Sequence, residues 1–283
     1  MKYAHVVEAG AKVKLSKITT KPPKGLDRAQ AEAKHAKFLE EISELQEELY
    51  AAGLNSAVII LQGMDTSGKD GTIRNVFGAL SPQGCQVESF KVPNSEELAH
   101  DFLWRAHRAT PRKGMIAVFN RSYYEDVLVV RVHKLVGKKV WSKRYEQIND
   151  FEQMLTANET LVLKFFLHIS KDEQEQRLRD REQDIEKAWK LSAGDWQERT
   201  FWDDYMAAYE DALATCTTEH APWYVIPADD KWFRNLAVAE VIVDRLKDYR
   251  ATWKKTLEAM SAARLAELAA YRQENAPVVP ASE

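Results

Sequence analysis

Hydrophobic residues in this 283-residue chain fall into short unbroken runs that alternate with longer stretches of helical spacing. The unbroken runs are Ser56–Leu61, Met115–Phe119, Thr160–Ile169 and Trp223–Pro227, and Gln86–Val92 reads as a further strand stopped by Pro93. Runs this short and rich in Val, Ile, Leu and Phe predict strands buried on both faces, as in a parallel sheet. Between them, Phe38, Ile42, Leu45 and Leu49 recur every three or four residues and predict a helix over Ala29–Tyr50. Asp27 is its expected N-cap and Gly53 its stop. Further helices are expected over Ile73–Leu80, from a Ser95 cap to about Ala109, and over Ser122–Leu135, Ser142–Thr156 and Trp196–Thr215. Lys171–Lys190 is a charged segment, and a long helix or helix pair runs from Asn235 to about Glu274.

Strands alternating with helices predict an α/β fold: a parallel sheet, helices on both faces, and ligands at the carboxyl ends of the strands. No repeat or long linker interrupts residues 1–283, so one domain is expected. Residues 1–25 read as a basic, proline-containing arm, and Asn275–Glu283 as a loose tail. The Ala/Glu/Leu/Arg-rich terminal helix reads first as packing on its own subunit and second as an oligomer face. A homo-oligomer, dimer or tetramer, is the expected assembly.

Composition narrows the class. With 45% hydrophobic and 29% charged residues the chain is an ordinary globular protein. A net charge of −3 argues against a nucleic-acid binder. The charge is unevenly spread, however: Arg105–Arg144 holds eleven Lys or Arg and two acids. Such a segment either focuses an anion on one surface or is simply a solvated face. Two distant cysteines, Cys85 and Cys216, favour a reducing compartment. No signal-like apolar segment opens the chain, and no run reaches the roughly 20 residues that span a bilayer. A cytoplasmic protein without membrane contact is expected.

The chemistry concentrates after the first apolar run. Gly63-Met64-Asp65-Thr66-Ser67-Gly68-Lys69 is a Gly-x-x-x-x-Gly-Lys loop between a strand and a helix, the arrangement that wraps a phosphate in backbone N–H groups. Asp70 stands where Ser or Thr ordinarily follows the lysine, and Asp65 adds a carboxylate inside the loop. Acids in a phosphate cradle repel the substrate unless a cation bridges them, so the loop implies phosphate and metal together.

A second group follows Met115–Phe119, where Asn120-Arg121 takes the place of an acidic strand end. Arg121 is either a phosphate clamp or one half of a salt bridge. Glu125 and Asp126 either serve a metal or mark a polar first helical turn. Arg177, Arg179, Arg181, Lys187 and Lys190 form either a salt-bridged surface helix or a cationic lid. Trp189, Trp196, Phe201, Trp202, Tyr205 and Tyr209 could stack a base, but such spacing is more often core. His107 and His133 read as phosphate contacts or packing.

Together these motifs resemble the polyphosphate kinase 2 family. The likeness is carried by Gly63-Met64-Asp65-Thr66-Ser67-Gly68-Lys69-Asp70-Gly71-Thr72 and by Glu97-Leu98-Ala99-His100-Asp101-Phe102-Leu103-Trp104-Arg105. Phe119-Asn120-Arg121-Ser122-Tyr123-Tyr124-Glu125-Asp126-Val127-Leu128 carries it further, and Arg179-Asp180-Arg181 and Trp189-Lys190-Leu191-Ser192 extend it to a lid. It covers roughly residues 30 to 250. Asn120-Arg121-Ser122 with Glu125-Asp126 resembles the class III branch, which phosphorylates nucleoside mono- and diphosphates.

The resemblance implies a thymidylate-kinase-like P-loop fold with a helical lid at about 171–195. It implies inorganic polyphosphate and nucleoside mono-, di- and triphosphates as partners, and Mg²⁺ as cofactor, with Mn²⁺ as the alternative ion. By resemblance the catalytic set is Asp65, Lys69, Arg121 and Asp126, with Asp65 and Asp126 as metal ligands. Phosphate or polyphosphate would contact Gly63, Ser67, Gly68, Asp70, Gly71, Thr72, Arg74, Arg131, Arg177, Arg181, Lys187 and Lys190. An ATP-dependent nucleotide kinase and a non-catalytic polyanion-binding P-loop protein are the competing readings.

Overall fold

A computed structural model of the chain describes residues 1–183 and 192–275. Two of the apolar runs form its centre: the strands Ser56–Gln62 and Thr160–His168 are buried at every position. The first half of the chain contains β1 (His5–Val6), α1 (Arg28–Ala52), β2 (Ser56–Gln62), α2 (Lys69–Val76) and β3 (Cys85–Ser89). Next come α3 (Ser95–Leu98), α4 (Trp104–Ala109), β4 (Ile116–Asn120), α5 (Val129–Val132) and α6 (Lys138–Ala157). The rest comprises β5 (Thr160–His168), α7 (Lys171–Gln183), α8 (Ala193–Arg199), α9 (Trp202–Thr215), β6 (Trp223–Pro227) and α10 (Lys231–Glu274).

The six strands form one sheet in the order β1-β6-β5-β2-β4-β3. All pairings are parallel except β1 with β6. Helices cover both faces, so the α/β class and parallel sheet expected from the sequence are present. The P-loop leaves β2, which lies between β5 and β4, and this puts it at the middle of the sheet's carboxyl edge. Helix α1 begins and ends on its expected signals. Asp27 accepts from Gln30 N at 2.8 Å, and Gly53, at φ 62°, closes the end through Leu49 O. The helix packs along α10, a single 44-residue helix that starts earlier than expected.

Several expected elements differ. Ser95–Ala109 divides into α3 and α4, and the N-cap is Asn94, which forms a capping box with Glu97. Trp196–Thr215 divides into α8 and α9. Ser122–Leu135 is a 3-10 turn, Tyr123–Asp126, followed by the single turn of α5. Tertiary contacts overrule the helical pattern here. Tyr123 and Tyr124 both donate their hydroxyls to Glu152 Oε1, at 2.9 and 2.8 Å, below the sheet. The amino-terminal arm is docked rather than free: β1 pairs with β6, and a 3-10 turn at Leu15–Lys17 follows.

Glu152 is fully buried and also pairs with Lys164 of β5, which donates to the Tyr124 hydroxyl and to Cys216 O. A lone charge left here would have no solvent. Glu152→Ala should therefore destabilise the protein by about 3–5 kcal/mol, whereas an apolar replacement of both partners should cost far less. Urea unfolding of the single and the double Glu152→Leu/Lys164→Met variants checks this.

Candidate active site

The loop after β2 takes backbone conformations that only some residues tolerate. Gly63 has φ 153°, and a Cβ there would lie 2.8 Å from Leu167 O. Gly68 has φ 100°, and a Cβ would lie 1.8 Å from Arg234 Nη1. α2 then starts at Lys69, so its free N–H groups face the loop. Lys69 folds back, donating to Gly63 O at 2.7 Å and Met64 O at 3.2 Å. Burial, reinforced by the nearby Arg121 guanidinium, lowers its ammonium pKa to about 8. Ser67 Oγ, Thr66 Oγ1 and Gln62 Oε1 are buried without a hydrogen-bond partner among the described residues. Orphan polar atoms in a phosphate loop fit a site completed by a ligand.

The second cluster lies at the end of β4, the strand beside β2. Arg121 adopts φ 62°, a left-handed conformation costly for a residue with a side chain. Its Nη2 donates to Asp65 Oδ1 at 2.7 Å, and its Nη1 lies 3.8 Å from Glu125 Oε2. Gln62 Nε2 donates to Glu125 Oε1 at 3.1 Å. Asp126 is held apart from this group. Arg144 Nη1 donates to Asp126 Oδ1 at 2.9 Å, and Arg105 Nη2 lies 4.0 Å from Asp126 Oδ2. Burial nonetheless raises the Asp126 carboxyl pKa to about 6, against the pull of both arginines. Asn120 Nδ2 donates to Asp70 Oδ1 at 2.9 Å, joining the strand end to the loop. Asp65 is thus coupled through Arg121 to Glu125 rather than to Asp126.

These groups line one cavity of about 1110 Å³, large enough for two phosphorylated ligands. Its lining carries the cations Lys69, Arg74, Arg181, Lys231 and Arg234 and the apolar side chains of Phe90, Val92, Pro93, Val129, Val130 and Leu135. Asp65, Asp70, Glu125 and Asp126 lie on its wall, together with Arg105, Asn120 and Arg121. Gly68 and Gly71 also line it, whereas Gly63 faces a small adjoining pocket. Ser67 and Thr72 are buried behind the loop, Thr72 Oγ1 donating to Gly68 O at 3.2 Å.

Some expected phosphate contacts have other employment. Arg131 lies outside the lining, paired with Asp211 at 2.7 Å and stacked over Trp141. Arg177 borders the cavity, but its guanidinium donates to Thr66 O, Ser67 O, Ala228 O, Asp229 O and Glu173 Oε1, which occupies all its N–H groups. It braces the P-loop from behind. Arg181 reaches the cavity while paired to Asp195 at 3.0 Å. Lys187, Lys190 and Trp189 lie outside the described residues. Trp202, Tyr205 and Tyr209 are core, and His107 packs edge-on to Phe151. His133 pairs with Glu198.

Sequence reasoning missed Arg234, Lys231, Arg105 and Arg144 as site residues. Arg234 is almost fully buried, and among the described residues its side-chain partners are the neutral Asn235 Oδ1 and Ser67 O. Burial and the nearby Arg177 lower its pKa to about 9, so the pocket offers an anion a cation with no carboxylate bound to it. Arg105 was visible as the end of the Glu97–Arg105 motif without an assigned role, and Arg144 only as part of a basic stretch.

Comparison with known proteins follows this geometry. The family described as Polyphosphate kinase 2 (PPK2) matches residues 25–254. The chain belongs to the polyphosphate kinase 2 family. It is 54% identical over 206 residues to the AMP/ADP-polyphosphate phosphotransferase of Meiothermus ruber, covering 73% of this chain and 77% of that protein. It is 47% identical to the ADP-polyphosphate phosphotransferase of Rhodopseudomonas palustris, covering 83% and 84%. The crystal structure of Polyphosphate Kinase 2 from Arthrobacter aurescens TC1 matches with a TM-score of 0.82 at 42% identity, covering 88% of this chain and 91% of that one. Among the described residues no helix is long and apolar enough to cross a membrane.

The contact between Gly68 and Arg234 gives a test within this PPK2 family site. Gly68→Ala should push the guanidinium out of place and strain the loop, costing about 1–3 kcal/mol of stability by overpacking. Thermal unfolding of Gly68→Ala with and without Arg234→Met checks it, the second change relieving part of the cost.

Proposed function

We propose that this chain transfers the terminal phosphoryl group of inorganic polyphosphate to nucleoside mono- and diphosphates, AMP to ADP and ADP to ATP, reversibly and with Mg²⁺. One feature of the cavity carries the reading. Its lining gathers Lys69, Arg74, Arg181, Lys231 and Arg234, more cationic side chains than one terminal phosphate requires, together with apolar side chains such as Phe90, Val92, Pro93 and Leu135 that suit an acceptor's base. The names of the Meiothermus ruber and Rhodopseudomonas palustris relatives support polyphosphate and adenine nucleotides as the two substrates.

The acceptor is itself a phosphate anion, so the reaction needs little proton abstraction and depends on positioning and charge. Lys69 and the loop N–H groups hold the donor's end, Nζ exchanging its two carbonyl partners for phosphoryl oxygens. Arg121, at the junction of loop and acceptor wall, spreads its charge over the transferring group. Arg181 approaches from α7 once a phosphate competes with Asp195. Arg105 and Arg144 draw the acceptor's phosphate toward the Asp126 wall.

Among the described residues no cluster of three or more His, Cys, Asp or Glu forms a ready metal site. That suits Mg²⁺, which takes one or two carboxylates and completes its shell with water and substrate phosphates. Asp65 and Asp126 would hold it, with Glu125 the competing second ligand, and the orphan Thr66 Oγ1 beside them is a hard donor that suits its water shell. When bound, the ion neutralises phosphate charge.

Four measurements test the reading. With Mg²⁺ and polyphosphate as sole donor, AMP should give ADP and then ATP. A requirement for ATP as donor would make the protein an ordinary nucleotide kinase, and binding without products would make it a polyanion-binding protein. Asp65→Asn should lower kcat by about 100-fold or more with the fold intact. Comparing Asp126→Asn with Glu125→Gln assigns the second ligand, the damaging variant also raising the Mg²⁺ requirement. Finally, Lys69 must be charged to grip phosphate, and its lowered pKa means that charge is lost as pH rises through about 8. kcat/KM should fall there, because it reports free-enzyme groups, and the limb should vanish in Lys69→Gln.

A further inference from the structure

The amino-terminal arm crosses the ligand-binding edge of the sheet. Leu15 O contacts His168 Nε2 at 3.1 Å at the end of β5. Thr20 Oγ1 donates to Asp229 Oδ2 at 2.6 Å just past the end of β6, and Asp229 N returns a bond to Thr20 O at 3.0 Å. The same Asp229 accepts from Ser170 N through Oδ1 and from the Arg177 guanidinium through its carbonyl. Two residues on, Lys231 lines the cavity. The arm therefore packs on the segment that carries Lys231 into the cavity lining.

Along that stretch the arm presents Lys17, Lys21 and Lys24, all exposed, with no ion pair among the described residues. Lys14, by contrast, is paired to Glu210 at 3.0 Å. Residues 1–25 carry six lysines and one acid, Glu8, and all but the last of them precede the segment matched by the family. Unpaired lysines held on a docked backbone cost repulsion and yield no packing, an arrangement that an external anion would repay. An extended chain covers at most roughly 3.3 Å per residue, so Lys17 to Lys24 reach no further than about 23 Å.

We propose that Lys17, Lys21 and Lys24 form an outer subsite for inorganic polyphosphate, holding the part of a long chain that leaves the cavity past Lys231. This rests on the polyphosphate reading above and adds to it a dependence on chain length. A donor short enough to be swallowed by the cavity never meets the arm. A long one meets both, and the second contact acts at high effective concentration. The attraction is between exposed charges, so salt screens it within about 10 Å at 0.1 M.

The test compares wild type, a Lys17→Ser/Lys21→Ser/Lys24→Ser variant and the corresponding triple arginine variant. KM is measured for long-chain polyphosphate, for tripolyphosphate (as donor or competitive inhibitor) and for the nucleotide, with thermal unfolding as a fold control. The serine variant should raise KM for the long chain by about five-fold at low salt, with the difference shrinking as salt rises. Its constants for tripolyphosphate and nucleotide should move by less than about two-fold, and the arginine variant should match wild type. Equal losses for long and short donors, or no loss for either, would overturn the outer subsite while leaving polyphosphate transfer standing. A wild type that uses neither donor would overturn the transfer reading and this inference with it.

Discussion

The ion pair between Asp65 and Arg121 is the joint on which the site depends. It closes at 2.7 Å between the loops that leave two neighbouring parallel strands, β2 and β4. Everything around it is arranged to make that contact. Arg121 accepts a left-handed backbone to turn its side chain toward the P-loop, and its N–H is fixed by Leu61 O at 3.0 Å. Glu125 stands on the other side of the same guanidinium, itself held by Gln62 at the end of β2. An arginine between two carboxylates is neutralised only while no phosphate is present. A polyanion entering the cavity competes for it, and a metal competes for the carboxylates. Both charges of the pair are thereby kept close to where phosphoryl transfer needs them.

The same economy explains the buried polar core beneath. Glu152, Lys164, Tyr123 and Tyr124 tie α6, β5 and the Tyr123–Asp126 turn into one network. A packed apolar core could supply similar stability. The network instead fixes a short 3-10 turn whose last two residues are Glu125 and Asp126. On the opposite side of the P-loop, Arg177 spends its donors on four backbone carbonyls and one carboxylate, which leaves the loop no freedom to collapse. Arg234 then sits against Gly68, where a Cβ would collide with its guanidinium, and close to Gly71.

Much of this was legible in the sequence, and the unread parts share a cause. The strands and the P-loop could be read because parallel strands are unbroken apolar runs and the loop's glycines sit at fixed spacing. Helix α1 was legible through Asp27 and Gly53, residues whose roles are local. Residues 122–135 misled because their apolar spacing is helical, while Glu152, 26 residues beyond Asp126, decides the backbone. Asn94 and Ser95 are both good caps, and the reciprocal bonds with Glu97 choose between them. Among the cations, composition could not separate Arg177, whose donors are spent, from Arg234, which has no carboxylate partner among the described residues. Arg131 failed as a phosphate contact because Asp211, eighty residues away, claims it. The arm's two-residue strand was too short to carry any periodic signal.

Phosphorus NMR of a mixture of this protein, Mg²⁺, long-chain polyphosphate and AMP would test the central claim most directly. The account predicts that polyphosphate signal is lost in step with the rise of nucleotide β-phosphate and then γ-phosphate signals, with little free orthophosphate. Unchanged polyphosphate, or its conversion to orthophosphate while AMP persists, would contradict it.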